Sequence, residues 1–321
     1  RRASRTQAAA RAGRADLEAV KPASGAAPRT WSRQYAKLCD VADFTDPALC
    51  AAVAEIQGTE AEPLVERKQW ERGMLALFLS EWGRLDDESS VLAIGAGSEP
   101  TLFWLANRAG RVVATDIYGE GKFAAREAVE SMLHNPSSFA PVEYRQDRLT
   151  VQQMDARHLE FGDETFDAVY SLSSIEHFGS AAEIARSAAE MGRVLRPGGV
   201  AVVVTEGLVR LHPLDRAPAE VALRIATLGR KRRDATLQRR VRVAEAFTPS
   251  ELQTRVVTPS GLRMLQPLSL GVSAASWRNL TTIRPGGELV PATGNLHPHA
   301  LLRIGRSVFT SVCLVLEKPR A

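Results

Sequence analysis

Val91-Leu92-Ala93-Ile94-Gly95-Ala96-Gly97-Ser98-Glu99-Pro100 joins an apolar run to a tight glycine turn. A second apolar run, Arg111-Val112-Val113-Ala114-Thr115-Asp116, ends in an acid 21 residues after Gly95. Strand, glycine turn, helix start, strand and acid, in that order, describe a site for a nucleotide-type ligand. Glycine carries no Cβ and tolerates positive φ, so the backbone can approach a ligand closely. The helix that follows directs its unpaired N–H groups and positive dipole end at a carboxylate or phosphate. An acid about 20 residues on is placed to accept hydrogen bonds from ribose hydroxyls.

The dinucleotide fingerprint G-x-G-x-x-G places a third glycine where helix and strand pack closely. Here that position is Pro100. Proline suits the first turn of a helix, and Ser98 is expected to cap it. The helix therefore survives while the pyrophosphate fingerprint does not. Taken alone, the segment also fits a plain strand–turn–helix in another α/β protein.

The next 90 residues or so repeat the alternation. Leu149 to Met154 reads as a strand ending in Asp155-Ala156-Arg157, and Thr165-Phe166-Asp167-Ala168-Val169-Tyr170-Ser171 as another. Ala181 to Leu195 carries apolar residues at Ile184, Ala188, Met191 and Leu195, the spacing of an amphipathic helix. Arg196-Pro197-Gly198-Gly199 turns the chain into the continuous apolar run Val200–Thr205, the pattern of a strand covered on both faces. Ser307 to Leu316 alternates and reads as an antiparallel last strand. The expectation is an α/β fold with a doubly wound, mostly parallel seven-stranded sheet, and ligands at the carboxyl ends of the strands.

These motifs together resemble the class I S-adenosylmethionine-dependent methyltransferases of the small-molecule type, over about residues 63–320. The resemblance implies a Rossmann-like methyltransferase fold and S-adenosylmethionine as cofactor. Gly95-Ala96-Gly97 is similar to the family's glycine loop beside the methionine part, Asp116 to its ribose acid and Ile117 to its adenine-packing residue. Asp155-Ala156 resembles the pair that reads the adenine edge. Phe166-Asp167-Ala168-Val169 resembles the fourth strand, and Leu195-Arg196-Pro197-Gly198-Gly199 the turn into the fifth. Two positions depart from the family. Ala93 stands where an acid is usual, and Glu99 where a third glycine is usual. Glu99 either turns away or contacts the cofactor's ammonium in place of the missing acid, and the second is preferred.

A sulfonium methyl is already activated, so catalysis rests mainly on holding the nucleophile in line with it. Ser171 ends the fourth strand beside the expected methyl position, and Ser173-Ser174-Ile175-Glu176-His177 then faces the acceptor. A hydroxyl acceptor must lose a proton. His177 is the candidate base because imidazole titrates near neutrality, with Glu176 orienting it. Packing or capping explains His177 equally well, and a softer nucleophile needs no base.

Of 321 residues 45% are apolar, and no apolar run approaches the ~18 that would span a membrane, nor is there a secretory h-region. Cys39, Cys50 and Cys313 form no C-x-x-C and are odd in number, so a reducing, cytoplasmic setting is expected. His297-Pro298-His299 has no third ligand nearby and reads as a loop, so no metal is expected. Residues 1–30 hold seven basic residues against Asp16 and Glu18, while the whole chain is only +4. Such a tail, rich in Ala, Arg and Ser, buries too little to fold and is expected to be disordered. Residues 31–88 are taken as an N-terminal helical segment, with Leu64–Trp82 its clearest helix, and residues 89–321 as the main domain.

From Arg224 to Arg242 eight basic residues face only Asp234. They fall in an expected helical insertion after strand 5, at about 208–246, that would form a lid over the acceptor. The cluster either attracts an anionic acceptor, a phosphorylated sugar, nucleotide sugar or lipid head group, or is a solvated helix face. The leading expectation is O-methylation of a small, glycan-like or lipid-linked acceptor. Nucleic acid is disfavoured because Ser171-Leu172-Ser173-Ser174 stands where base N-methylation expects an Asn/Asp-Pro-Pro-Tyr-like motif. A non-catalytic cofactor-binding protein stays open on account of Ala93 and Glu99.

Overall fold

The computed structural model describes residues 30–212, 215, 245–284 and 287–320. The basic tail up to residue 29, the whole basic segment 224–242 and most of the lid expected at about 208–246 lie outside them. Residues 33–321 form one compact unit. Five parallel strands make its centre: β2 (Ser90–Ile94), β3 (Arg111–Asp116), β4 (Leu149–Gln153), β5 (Phe166–Leu172) and β6 (Leu195–Arg210). Their order across the sheet is β4-β3-β2-β5-β6. β11 (Ser307–Glu317) runs antiparallel to β6 along almost its whole length, as the alternating C-terminal run anticipates. β10 (Leu301–Ile304) follows on its far side.

Among the described residues the sheet holds eleven strands, four more than the seven anticipated. The additions are short: β1 (Lys37–Leu38) and β7 (Arg263–Met264) pair with β11, while β8 (Leu280–Ile283) and β9 (Leu289–Pro291) extend the edge beyond β10. Strands of two to four residues show too few alternations for periodicity to mark them. β1 also ties the segment before residue 88 into the same sheet.

Both faces of the central sheet are covered. Leu92, Ile94, Val113, Val169, Ala201, Val203 and Leu314 form one apolar face with α5 (Ala181–Val194). Their neighbours Val91, Ala93, Val112, Ala168, Val202 and Cys313, which point the other way, are equally buried. This doubly covered sheet is the one expected. The turn into β6 is absorbed into a bulge: Phe166 pairs with Leu195 but Ala168 with Val200, so Arg196–Gly199 loop out between them.

Local chemistry fixes the helix ends. Ser180 and Glu183 close a capping box on α5, and Thr248 and Glu251 another on α6 (Pro249–Leu252, continuing through a π turn, Gln253–Val257, into Thr258–Ser260). Each such cap stabilises its helix by about 1 kcal/mol. α3 (Thr101–Ala106) differs from expectation. It begins one residue beyond Pro100 and has no side-chain cap, because the turn before it is held by backbone bonds, Glu99 N–H donating to Ala96 O at 3.3 Å.

α5 and α6 touch at Gly192, where a Cβ would run into the Ser260 carbonyl oxygen. Alanine ordinarily stabilises a helix interior by about 1 kcal/mol over glycine. Gly192→Ala is instead expected to lower stability by about 1–3 kcal/mol through overpacking. Urea unfolding checks the sign, and a midpoint raised by the substitution would contradict this packing.

Candidate active site

The carboxyl ends of β2, β3, β5 and β6 converge on the glycine turn. Gly95 (φ +64°) and Gly97 (φ +49°) both sit in the left-handed region. Both are also crowded by the chain itself. A Cβ on Gly95 would meet the Ser174 side chain, and one on Gly97 would lie 2.9 Å from the Glu127 carbonyl oxygen. Ala96 N–H donates to Thr115 O at 3.0 Å, which stitches the turn to β3.

Asp116 holds this arrangement together. Its Oδ2 accepts from Gly97 N–H at 2.8 Å and its Oδ1 from Ile117 N–H at 2.7 Å. Burial raises its pKa, against the two amide donors that lower it. A carboxylate has about four lone-pair positions, so each oxygen keeps capacity for a ribose hydroxyl. The neighbouring Ile117 is a large apolar side chain left 40% exposed. Carboxylate beside exposed isoleucine suits a nucleoside, sugar on one and base on the other. Tyr118 closes the back of the turn, its hydroxyl donating to Gly97 O at 2.8 Å.

Asp155 and Ala156 follow β4 at the same end of the sheet, Ala156 buried. The Asp155 carboxylate is gripped by Arg157, Nε at 2.9 Å from both oxygens and Nη2 at 2.6 Å from Oδ2, and that fork pulls its pKa down.

Ser171 lies elsewhere than expected. β5 runs on to Leu172, so Ser171 is fully buried inside the sheet with an unpaired hydroxyl, among the described residues. The hydroxyls at the strand end are Ser173 and Ser174. Ser174 donates to Gly95 O at 2.7 Å, and Ser173, in the left-handed region (φ +50°), donates to Glu71 Oε1 at 2.8 Å.

Glu176 and His177 are adjacent on a single helical turn, Ile175–His177, and diverge. Glu176 is buried and accepts from the Thr205 hydroxyl at 2.8 Å. It does not orient His177 as anticipated, because neighbours on a tight helical turn point to different sides. His177 packs on the Phe123 ring with centroids 4.8 Å apart, and its Nδ1 lies 3.7 Å from Glu245 Oε1.

Glu99 does not stand alone on its turn. α2 (Arg67–Trp82) reaches over the strand ends and sets Lys68 Nζ 3.0 Å from Glu99 Oε1 and Arg72 Nε 2.8 Å from Oε2. Although burial pushes its pKa up, these two cations hold it below the ordinary value. The same helix pairs Arg67 with Glu206 at 3.2 Å, and buries Glu71 under the hydroxyls of Ser173 and Ser311. In sequence, residues 31–62 read as mixed, and Arg67-Lys68 within the Leu64–Trp82 helix reads as a pair able to steer an anionic group. Among the described residues no three His, Cys, Asp or Glu side chains are placed to hold a metal ion.

Residues 92–203 match the family model for the methyltransferase domain. This stretch of the chain is a methyltransferase domain. The chain is 34% identical over 131 residues to the erythromycin 3''-O-methyltransferase of Saccharopolyspora erythraea, covering 40% of this chain and 38% of that protein. It is 32% identical over 120 residues to the methyltransferase GfsG of Streptomyces halstedii, covering 36% and 38%. It is 34% identical over 139 residues to the phosphatidylethanolamine N-methyltransferase of Cereibacter sphaeroides, covering 43% and 61%. The chain spans less than two thirds of each of these curated relatives. Among solved structures, an arsenic(III) S-adenosylmethionine methyltransferase from Chlamydomonas reinhardtii matches with 19% identity, a TM-score of 0.42, and 85% of this chain and 74% of that one covered.

Burial, and next the charge of Glu206, push the Glu176 pKa up to about 8, from an ordinary 4.5. The folded protein thus keeps a proton that the unfolded chain releases. The stability this group contributes is full below about pH 4.5 and is lost as pH rises toward about 8. The melting temperature of the wild type is expected to fall across that window, and Glu176→Gln to flatten the fall. Parallel melting curves for the two proteins would contradict it.

Proposed function

We propose that this protein transfers the methyl group of S-adenosylmethionine to a hydroxyl of a small or glycan-like acceptor. The observation that carries the proposal is Asp116, clamped by the Gly97 and Ile117 amides beside an exposed apolar side chain. On this proposal Asp116 takes the ribose hydroxyls and Ile117 packs on the adenine. Ala156 N–H and the Asp155 carboxylate, which Arg157 holds in place, meet the adenine edge. Gly95-Ala96-Gly97 passes along the methionine part and Glu99 meets its ammonium. Ser171 acts from behind, as packing under the turn.

The cofactor supplies an electrophilic methyl on sulfur, so the chain's own task is to align the acceptor oxygen and take its proton. His177 fits that task. It lies on the turn after β5, stacked on Phe123, with Glu245 3.7 Å from Nδ1 to stabilise the imidazolium. Glu245 thereby takes the role expected of Glu176.

The relatives' names cover both oxygen and nitrogen acceptors, and a base at 177 favours oxygen. An anionic group on the acceptor would draw on Arg224–Arg242, which lie outside the described residues. No helix among the described residues is long and apolar enough to cross a membrane. Three unpaired cysteines support a reducing, cytoplasmic setting.

Titration calorimetry with S-adenosylhomocysteine tests the cofactor site. The wild type is expected to bind it and Asp116→Ala to weaken binding by about tenfold or more, the worth of charge-assisted hydrogen bonds. Unchanged affinity in the variant would contradict the assignment. Once an acceptor is in hand, His177→Ala is expected to lower kcat roughly 10²-fold near neutral pH and to remove the acidic limb of the pH–rate profile. An unaltered profile would exclude His177 as the base.

A further inference from the structure

Glu99 carries two cations for one carboxylate, and both come from the same face of α2. Lys68 and Arg72 are spaced i, i+4, with Glu71 between them at i+3 from Lys68. Lys68 Nζ lies 3.0 Å from Glu99 Oε1 and 3.3 Å from Glu71 Oε2, while Arg72 reaches Glu99 through Nε at 2.8 Å. Glu71 spends its other oxygen on Ser173 and Ser311. Among the described residues no hydrogen bond engages the two terminal nitrogens of Arg72, and the Lys68 side chain is 37% exposed. Cationic donors are therefore turned toward the approach to the glycine turn, next to an anionic acceptor.

An α-amino acid group bears its ammonium and carboxylate on a single carbon, a few ångströms apart. A Lys–Glu or Arg–Glu pair of the same span is its electrostatic complement. When such a zwitterion docks, the ammonium takes a place on Glu99 and frees a cation of α2 to meet the carboxylate. Net charge in the site is unchanged, so no unpaired charge is left buried, the outcome that would cost most. Arginine adds a planar fork suited to a carboxylate.

We infer that Lys68 and Arg72 of the N-terminal helix, with Glu99, form a zwitterion clamp for the amino-acid end of the cofactor, in place of the acid absent at Ala93. The inference rests on the cofactor site proposed above and extends it to a helix outside the matched domain, since α2 ends at Trp82 and the family model begins at 92. Lys68 and Arg72 are binding residues for the carboxylate, and Glu99 for the ammonium.

Two probes separate this from a purely structural ion pair: S-adenosylhomocysteine, and 5′-methylthioadenosine, which keeps the nucleoside and thioether but lacks the amino-acid group. With the full chain, Lys68→Met, Arg72→Met and Glu99→Gln are each expected to weaken the first about tenfold or more, and the second less than about twofold. Arg72→Lys, which keeps the charge, is expected to fall between wild type and Arg72→Met. Equal loss of both probes, or no loss of either, overturns the clamp, as does a wild type that binds both equally well. If Arg72→Met fails to fold, Arg72→Lys and Glu99→Gln carry the same comparison. A wild type that binds neither probe overturns the cofactor site itself.

Discussion

Asp116 accepts two backbone N–H groups, one from the glycine turn and one from its own successor, and the rest of the site is arranged around that carboxylate. The turn needs positive φ at Gly95 and Gly97, a conformation that costs most residues about 1 kcal/mol or more. Glycine at both positions avoids that cost, and the half-buried Asp116 carboxylate opposite the Gly97 amide fixes where the turn sits relative to β3. Because β2 and β3 are adjacent and parallel, their ends meet on one edge of the sheet, the edge where ligands bind in folds of this kind. A nucleoside sugar placed there would find an acceptor already oriented.

Around this centre charges cluster, half-buried except for the buried Glu71. Arg67 with Glu206, Lys68 and Arg72 with Glu99, and Glu71 beneath two serine hydroxyls all lie between α2 and the strand ends. Apolar packing of similar volume is often as stable or more so, which makes stability alone a poor reason for the cluster. A polar, adjustable boundary beside a charged ligand is a better one. It also accounts for Glu99 at a glycine position, since the helix supplies the countercharges that make a carboxylate tolerable at that depth.

The central sheet was legible because its evidence is local and repeated. Continuous apolar runs and glycine turns each have their own residue pattern. The antiparallel β11 was legible from alternation alone. What escaped was long-range. Lys68 and Arg72 on Glu99, Thr205 on Glu176 and Glu245 beside His177 join residues whose pairing no window reveals. Ser171 was expected at the strand end, but β5 runs one residue further, to Leu172, and keeps Ser171 buried within the sheet. The short strands β1 and β7 to β9 fall below any periodic signal.

A crystal grown with S-adenosylhomocysteine tests the account most directly. The nucleoside should lie across the glycine turn with its sugar hydroxyls on Asp116, its adenine against Ile117, and its amino-acid end between Glu99 and the α2 cations. A nucleoside found elsewhere on the molecule, or Asp116 still bonded to nothing but backbone while the ligand is bound, would contradict it.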